Sequence, residues 1–165
     1  MMQRIWIPFF LVLCMMGCGF HLRQPMIAYE NLPNFLQIES KLKNPQWQHI
    51  VRAHLMEAGF RVSDQAPVTL VLVALTEEER PYTYTALAKV AEYQLTQTLQ
   101  YQLMDAHQQT MTPIIQIYTD RIYPFDERNI SGSQQEKVLI QTELTNALLQ
   151  QLTEQLNQTL KYLAS

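Results

Sequence analysis

The chain predicts an α+β fold in the order β-α-β-β-β-α, and three patterns carry that prediction. A capped amphipathic helix stands between two strand-like runs within residues 35–76. A strict apolar/polar alternation then occupies residues 89–103, and a long stretch without proline or glycine fills residues 134–163. The first and last patterns have the helical period and the middle one the period of a strand. With 165 residues and 47% hydrophobic content, the chain has enough apolar material for one ordinary domain, 35–165, with a real core.

The order begins before the fold. Residues 5–16 are an apolar run behind Arg4, interrupted only by Pro8. As helix, those twelve residues would span about 18 Å, too little for a hydrocarbon core of about 30 Å. A charged start, a short apolar run and a small residue, Gly17, describe an export signal over residues 1–17. Cys18 follows the small residue, and its thiol can carry a diacylglycerol. Met15 and Met16 depart from the Leu and small residue usual at those positions in lipoprotein signals. Cys14 is a poorer acceptor, because Leu13 precedes it. Once the signal is cut, Cys18 is the only remaining cysteine, so no internal disulfide can form. The reading is therefore a lipoprotein, with diacylglycerol and an N-acyl chain on Cys18 as its only attached groups. Several acyl chains on one residue anchor stably where a single chain does not.

Residues 18–34, with Pro25 and Pro33 and little periodicity, read as a lipidated tether reaching at most about 55–60 Å. Residues 35–39 alternate as a first strand. Asn44 and Pro45 then mark a helix start, as N-cap and first helical residue. Trp47, Ile50, Val51, His54, Leu55 and Ala58 form one face of that helix, and Gly59 ends it as the left-handed residue. Residues 68–76 are apolar on both alternations, as in a strand covered on both sides. Strand, helix and strand make a βαβ unit, so the two strands are expected to be parallel. The run 77–81, three glutamates followed by Arg80 and Pro81, reads as a loop or strand end with solvated charges.

In the alternating segment, Ala91, Tyr93, Leu95, Leu99, Tyr101 and Leu103 share one parity. Glu92, Gln94, Thr96, Thr98, Gln100 and Gln102 share the other, which predicts one buried and one polar face. After a turn at 105–112, residues 114–123 return as an antiparallel partner. The Gln/Thr face of this pair reads either as solvated sheet or as a surface that docks a protein or a sugar-rich ligand. A polar loop, 126–133, offers Ser131 or Ser133 as N-cap for the final helix. There Ile140, Leu144, Leu148, Leu152, Leu156 and Leu160 recur every four residues, a wrapping stripe suited to a helix lying across a sheet rather than to a coiled coil.

A formal net charge of −3 argues against nucleic acid as a partner. His49 and His54, five apart, do not face one way along a helix, which leaves no zinc pair. Neither a nucleophile motif nor a phosphate loop is present, so no enzyme is expected.

The run Gly17-Cys18-Gly19-Phe20-His21-Leu22-Arg23 is similar to the opening of LptE, the LPS-assembly lipoprotein family of Gram-negative bacteria. Val51-Arg52-Ala53-His54-Leu55 before Gly59, Ala91-Glu92-Tyr93-Gln94-Leu95, and the acidic-then-apolar stretch 135–156 agree with it in order. The resemblance implies a two-layer sandwich in which two helices pack on a mixed four-stranded sheet. It also implies an outer-membrane lipoprotein that plugs the LptD β-barrel in a 1:1 complex, helps that barrel assemble, binds lipopolysaccharide and assists its delivery to the outer leaflet. A compact chain of this size has a radius of gyration of about 15 Å, which only a many-stranded barrel could enclose. Family members meet the anionic ligand through basic residues in loops around the sheet. The nearby cations here are Arg80, Lys89, Arg121, Arg128 and Lys137, for each of which plain surface solubility is an equal reading. Gly19, rather than an aspartate, agrees with sorting to the outer membrane. Phe20, His21, Leu22 and Arg23 exceed what an anchor requires and read as an N-terminal docking element. The same signal also fits a structural outer-membrane lipoprotein serving another envelope machine, a secretin pilot or a barrel-assembly component.

Overall fold

The computed structural model describes residues 34–164. The expectations placed on residues 1–33, which cover the signal segment, Cys18, Phe20, His21, Leu22, Arg23 and nearly all of the tether, lie outside them. The elements are β1 (Phe35–Ser40), α1 (Gln46–Glu57), β2 (Arg61–Val62), β3 (Val68–Tyr84), β4 (Val90–Asp105), β5 (Ile115–Pro124) and α2 (Ile130–Ala164).

They form the expected two-layer α+β arrangement around a mixed sheet in the order β2-β1-β3-β4-β5. β1 runs parallel to β2 and β3, whereas β3, β4 and β5 are antiparallel. The sheet has five strands, not four. Sequence pattern could not show β2, because two residues display no period. It forms where the chain leaves α1: the Arg61 amide donates to Asn34 O at 2.6 Å and the Ser63 amide to Leu36 O at 3.0 Å.

α1 starts and stops as its sequence requires. Asn44 Oδ1 accepts the Gln46 amide at 3.0 Å, and Pro45 already has helical angles (φ −67°, ψ −19°). At the other end Gly59 takes φ +93°, a conformation that side chains with a Cβ resist. Its amide reaches Met56 O, while the Phe60 amide reaches Leu55 O at 2.9 Å, closing a Schellman cap. The buried stripe is narrower than the sequence face. Val51 and Leu55 are fully covered, but Ile50 is 40% exposed, and Ala58 lies past the last turn.

The stripe of α2 is buried along its whole length, Leu144 through Leu160 completely. The helix starts earlier than expected, at Ile130, and its cap is Asn129, whose Oδ1 accepts the Gly132 amide at 3.1 Å. Ser133 instead ties back the preceding loop by accepting the Asp126 amide. Among the described residues no helix is long and apolar enough to cross a membrane.

β3 departs most from expectation. It does not end at Glu77 but continues to Tyr84, paired with β4 throughout and kinked by irregularities near Val73 and Tyr82. β1 stops at Ser40 opposite Leu72, so beyond that point β3 is an edge strand, where the missing N–H of Pro81 is tolerated. The fold thereby acquires two ends. In the body, β1, β2, α1, the first half of β3 and the last half of α2 share one apolar cluster. In the wing, the outer halves of β3, β4 and β5 project under the first half of α2 over a smaller cluster: Leu95, Tyr123, Ile140 and Leu144.

Candidate functional site

Both helices lie on one face of the sheet, and among the described residues no helix covers the opposite face. On it the central strand presents the polar parity of β4: Gln94, Thr96, Thr98, Gln100 and Gln102. Their amides bond sideways across the sheet. Gln94 Nε2 donates to Asp120 Oδ2 at 2.9 Å, Gln100 Nε2 to Gln116 Oε1 at 3.1 Å, and Gln102 Nε2 to Thr112 O at 3.1 Å. The result is a pre-ordered, hydrogen-bonding plane that also carries Glu92 and Asp120 and, across the β3–β4 register, Glu78 and Arg80. Around the wing, large apolar side chains stand exposed, including Tyr82, Tyr84 and Leu87 at the β3–β4 hairpin, Tyr118 and Ile122 on β5, and Val138 and Leu139 on α2.

On the covered face, the wing meets α2 through polar groups. Glu77 and Glu79, two apart on a strand, point the same way about 6.6 Å apart. Gln141 and Lys137, four apart on the helix, are spaced by about 6 Å and match them. Gln141 Nε2 donates to Glu77 Oε1 at 2.7 Å, and Gln97 Nε2 donates to the other oxygen of that carboxylate at 3.0 Å. Gln97, though only 5% exposed, is satisfied on its other side by the Thr145 hydroxyl at 3.2 Å. Lys137 Nζ meets Glu79 Oε2 at 2.5 Å, and the Tyr123 hydroxyl donates to Glu79 Oε1. Burial by itself would raise the Glu79 carboxyl. The hydrogen bonds from Lys137 and Tyr123, together with the lysine's charge, outweigh it and hold the group below its ordinary value. Tyr123 is pushed strongly upward by burial and by the Glu79 beside it. Tyr93 stacks on Tyr123 and meets Phe125 edge-on, and the cavity of about 240 Å³ that these rings share with Lys137 is walled by groups already bonded to one another. This is a joint rather than a receptor.

The glutamate run is therefore not a solvated loop. Neither Tyr123 nor the inward turn of Glu77 and Glu79 was singled out from sequence. The available signal was the match of an i, i+2 acidic pair in a strand to an i, i+4 Lys/Gln pair in a helix.

All five sequence-predicted cations fall on the wing, but on different elements, and the structure does not gather them. Arg80 lies on β3 and pairs with Glu78 at 3.4 Å. Lys89, at the hairpin, holds Glu127 at 2.5 Å, which raises its pKa. Arg128 stands almost wholly exposed, 3.7 Å from Asp126. Lys137 is committed to Glu79. Arg121, on β5, donates to the carbonyl of Asp120 at 2.9 Å. Among the described residues no His, Cys, Asp and Glu side chains cluster as a metal site would require.

The family model for lipopolysaccharide-assembly proteins of the LptE type matches residues 43–158. The chain belongs to the LptE family. That places it among non-enzymatic, outer-membrane lipopolysaccharide-assembly lipoproteins. Solved structures share the fold at low identity. A minor lipoprotein from Acinetobacter baumannii is 20% identical with a TM-score of 0.63, covering 76% of this chain and 91% of its own. Lipoprotein B from Nitrosomonas europaea is 16% identical with a TM-score of 0.67, over 80% and 85%. The rare lipoprotein B from Shewanella oneidensis is 19% identical with a TM-score of 0.57, over 79% and 94%. A search of curated proteins gave no significant match.

Proposed function

We propose that this LptE-family chain sits as a 1:1 plug inside the lumen of an LptD-like outer-membrane β-barrel, helps that barrel assemble, and binds lipopolysaccharide on its way to the outer leaflet. The observation that carries the reading is the sheet face that bears no helix among the described residues, on which β4 presents Gln94, Thr96, Thr98, Gln100 and Gln102. A polar barrel lumen offers hydrogen-bonding side chains at many depths. The amides and hydroxyls of this face can meet them directly, and its charges already have partners: Asp120 accepts from Gln94, Glu92 from Thr83, and Arg80 pairs with Glu78. The exposed tyrosines and leucine of the wing supply apolar contact at one end.

Residues 1–17 are proposed as the signal peptide, 18–34 as the tether, and Cys18 as the acylated residue that holds the chain at the membrane. Phe20, His21, Leu22 and Arg23 dock just beyond the lipid. Arg80, Lys89, Arg128 and Lys137 each hold a carboxylate, so lipopolysaccharide could take them only by exchange, while Arg121 has no such competitor among the described residues.

Affinity purification of the full lipoprotein from detergent-solubilised membranes tests the reading. A large β-barrel recovered in equal ratio is the expected result. Recovery of a secretin, or of no partner, overturns it. Loss of the barrel from a Phe20→Ala, Arg23→Ala double variant is expected if the N-terminal stretch docks.

A further inference from the structure

Where β3 parts from β1, the fold opens a second concavity, on the edge of β3 that faces away from β4. β1 ends at Ser40, and the Lys41 amide makes its last bond to Leu72 O at 2.9 Å. β3 then bulges at Val73, and the 41–45 loop turns away to start α1. The space between is a cleft of about 430 Å³. Trp47, Leu42 and Leu75 floor it, half-buried against the main core, and the exposed Lys41 and Lys43 stand at its mouth. No lining residue carries a carboxylate, and neither lysine makes an ion pair among the described residues. Half-covered apolar groups beside unanswered cations fit an occupant with apolar side chains and an acid.

The chain supplies one close by. The segment that precedes the described fold joins it at Asn34, one strand-length from the cleft. Met26, Ile27 and Tyr29 give that segment apolar side chains, and Glu30 is its only acid between Cys18 and Asn34. β1 rises about 20 Å over its six residues. Doubling back from Asn34, an extended chain covers at most about 14 Å by Glu30 and about 25 Å by Ile27. Glu30 therefore comes within side-chain reach of the lysine rim, and Ile27 and Met26 arrive over the floor. A segment joined to its site by so few residues meets it at an effective concentration on the order of millimolar, so contacts too weak to recruit a free peptide can hold it.

We propose that residues 26–30 of this chain fold back along β1 and dock in the cleft, with Met26 and Ile27 over Trp47, Leu42 and Leu75 and Glu30 against Lys41 and Lys43. The docked segment is an intramolecular strap that shortens the leash. Undocked, residues 18–34 reach at most about 55–60 Å; docked, only residues 18–26 span the gap, at most about 25–30 Å. The docking needs no lipid. Its consequence rests on the proposed acylation of Cys18: release of the strap lets the body stand farther from the membrane with no change in the fold.

Trp47 is the one tryptophan outside the first 17 residues, so its fluorescence reports on the cleft directly. In the full lipoprotein, acrylamide quenching of Trp47 and the rate of chymotryptic cleavage after Tyr29 are measured together. A docked strap shields both. Ile27→Asp should lower the docked population by about tenfold or more, from the lost burial of one large side chain, and raise both readouts. Glu30→Lys should lower it by about fivefold, the upper end for an exposed ion pair, because reversal adds repulsion to the lost attraction. Both substitutions precede the described fold, so neither threatens its folding. Adding Lys41→Glu and Lys43→Glu to Glu30→Lys should restore the shielding. If Ile27→Asp changes neither readout, the strap is overturned. If the reversed charges do not rescue Glu30→Lys, the contact with the lysines is overturned. Shielding that grows with protein concentration overturns the intramolecular strap in favour of a second copy of the chain.

Discussion

The body and the wing are built on different physics along the same helix. In the body, α2 lies on oil: Leu148, Leu152, Leu156 and Leu160 interlock with Leu36, Leu70, Leu103 and Val51. In the wing, the same helix is held by Glu77, Glu79, Gln97, Thr145, Gln141 and Lys137, over only four buried apolar residues. Apolar burial is non-directional and contributes about 1.5–3 kcal/mol for each large side chain, whereas a polar joint contributes about 1 kcal/mol per bond and depends on geometry and charge. The two ends therefore need not open together. The body sets global stability, and the wing is the end that can open at lower cost.

The largest expected effect falls on the body. Leu148→Ala, at a fully buried position, should lower the free energy of unfolding by about 2–5 kcal/mol in urea titrations, read equally by probes in both regions. A smaller effect should be confined to the wing. Glu79→Gln removes the centre of the joint, and because its side chain is 31% exposed the loss is screened to about 1–2 kcal/mol. Hydrogen exchange should quicken in β5 and the first half of α2 while α1 and β1 keep their protection. Equal acceleration in α1 would break the division.

Acid should reproduce this variant. The Glu79 carboxyl is held below its ordinary value of 4.5, so its contribution is present above that pH and is lost as pH falls through the lower native value. The unaltered protein should then show wing-selective exchange below about pH 4.5, and Glu79→Gln should not acquire it. The smallest effect concerns Tyr101, which donates to Gln155 Oε1 at 3.0 Å and is pushed up to about 12 by burial. A raised value means stability present below 10.0 and lost as pH climbs to about 12. Tyr101→Phe should cost about 1 kcal/mol at neutral pH and flatten that alkaline decline.

The same contrast explains what was legible in the sequence. The body speaks in periodicity: the four-residue row of α2, the two-residue alternation of β4 and the Asn44–Gly59 brackets of α1 each name their own element. In the wing the deciding residues are charged, and a local pattern does not show what a charge faces. Glu77 and Glu79 resemble any solvated run until α2, some sixty residues later, supplies Gln141 and Lys137. The cap of α2 was misplaced by a few residues because Asn129, Ser131 and Ser133 all carry capping side chains, and only the fold selects one.

The strand edge of β3 beyond Leu72 has one more consequence. A row of unpaired backbone donors and acceptors recruits any extended chain nearby, and is the usual seed of aggregation. Along this edge stand Glu78, Arg80 and Pro81, with irregular pairing on either side of Tyr82. Charge makes an approaching strand shed water, proline interrupts its hydrogen-bond ladder, and the kinks spoil its register. In the role proposed above, beside strands still closing into a barrel, the chain could then touch them without being stitched into the wall.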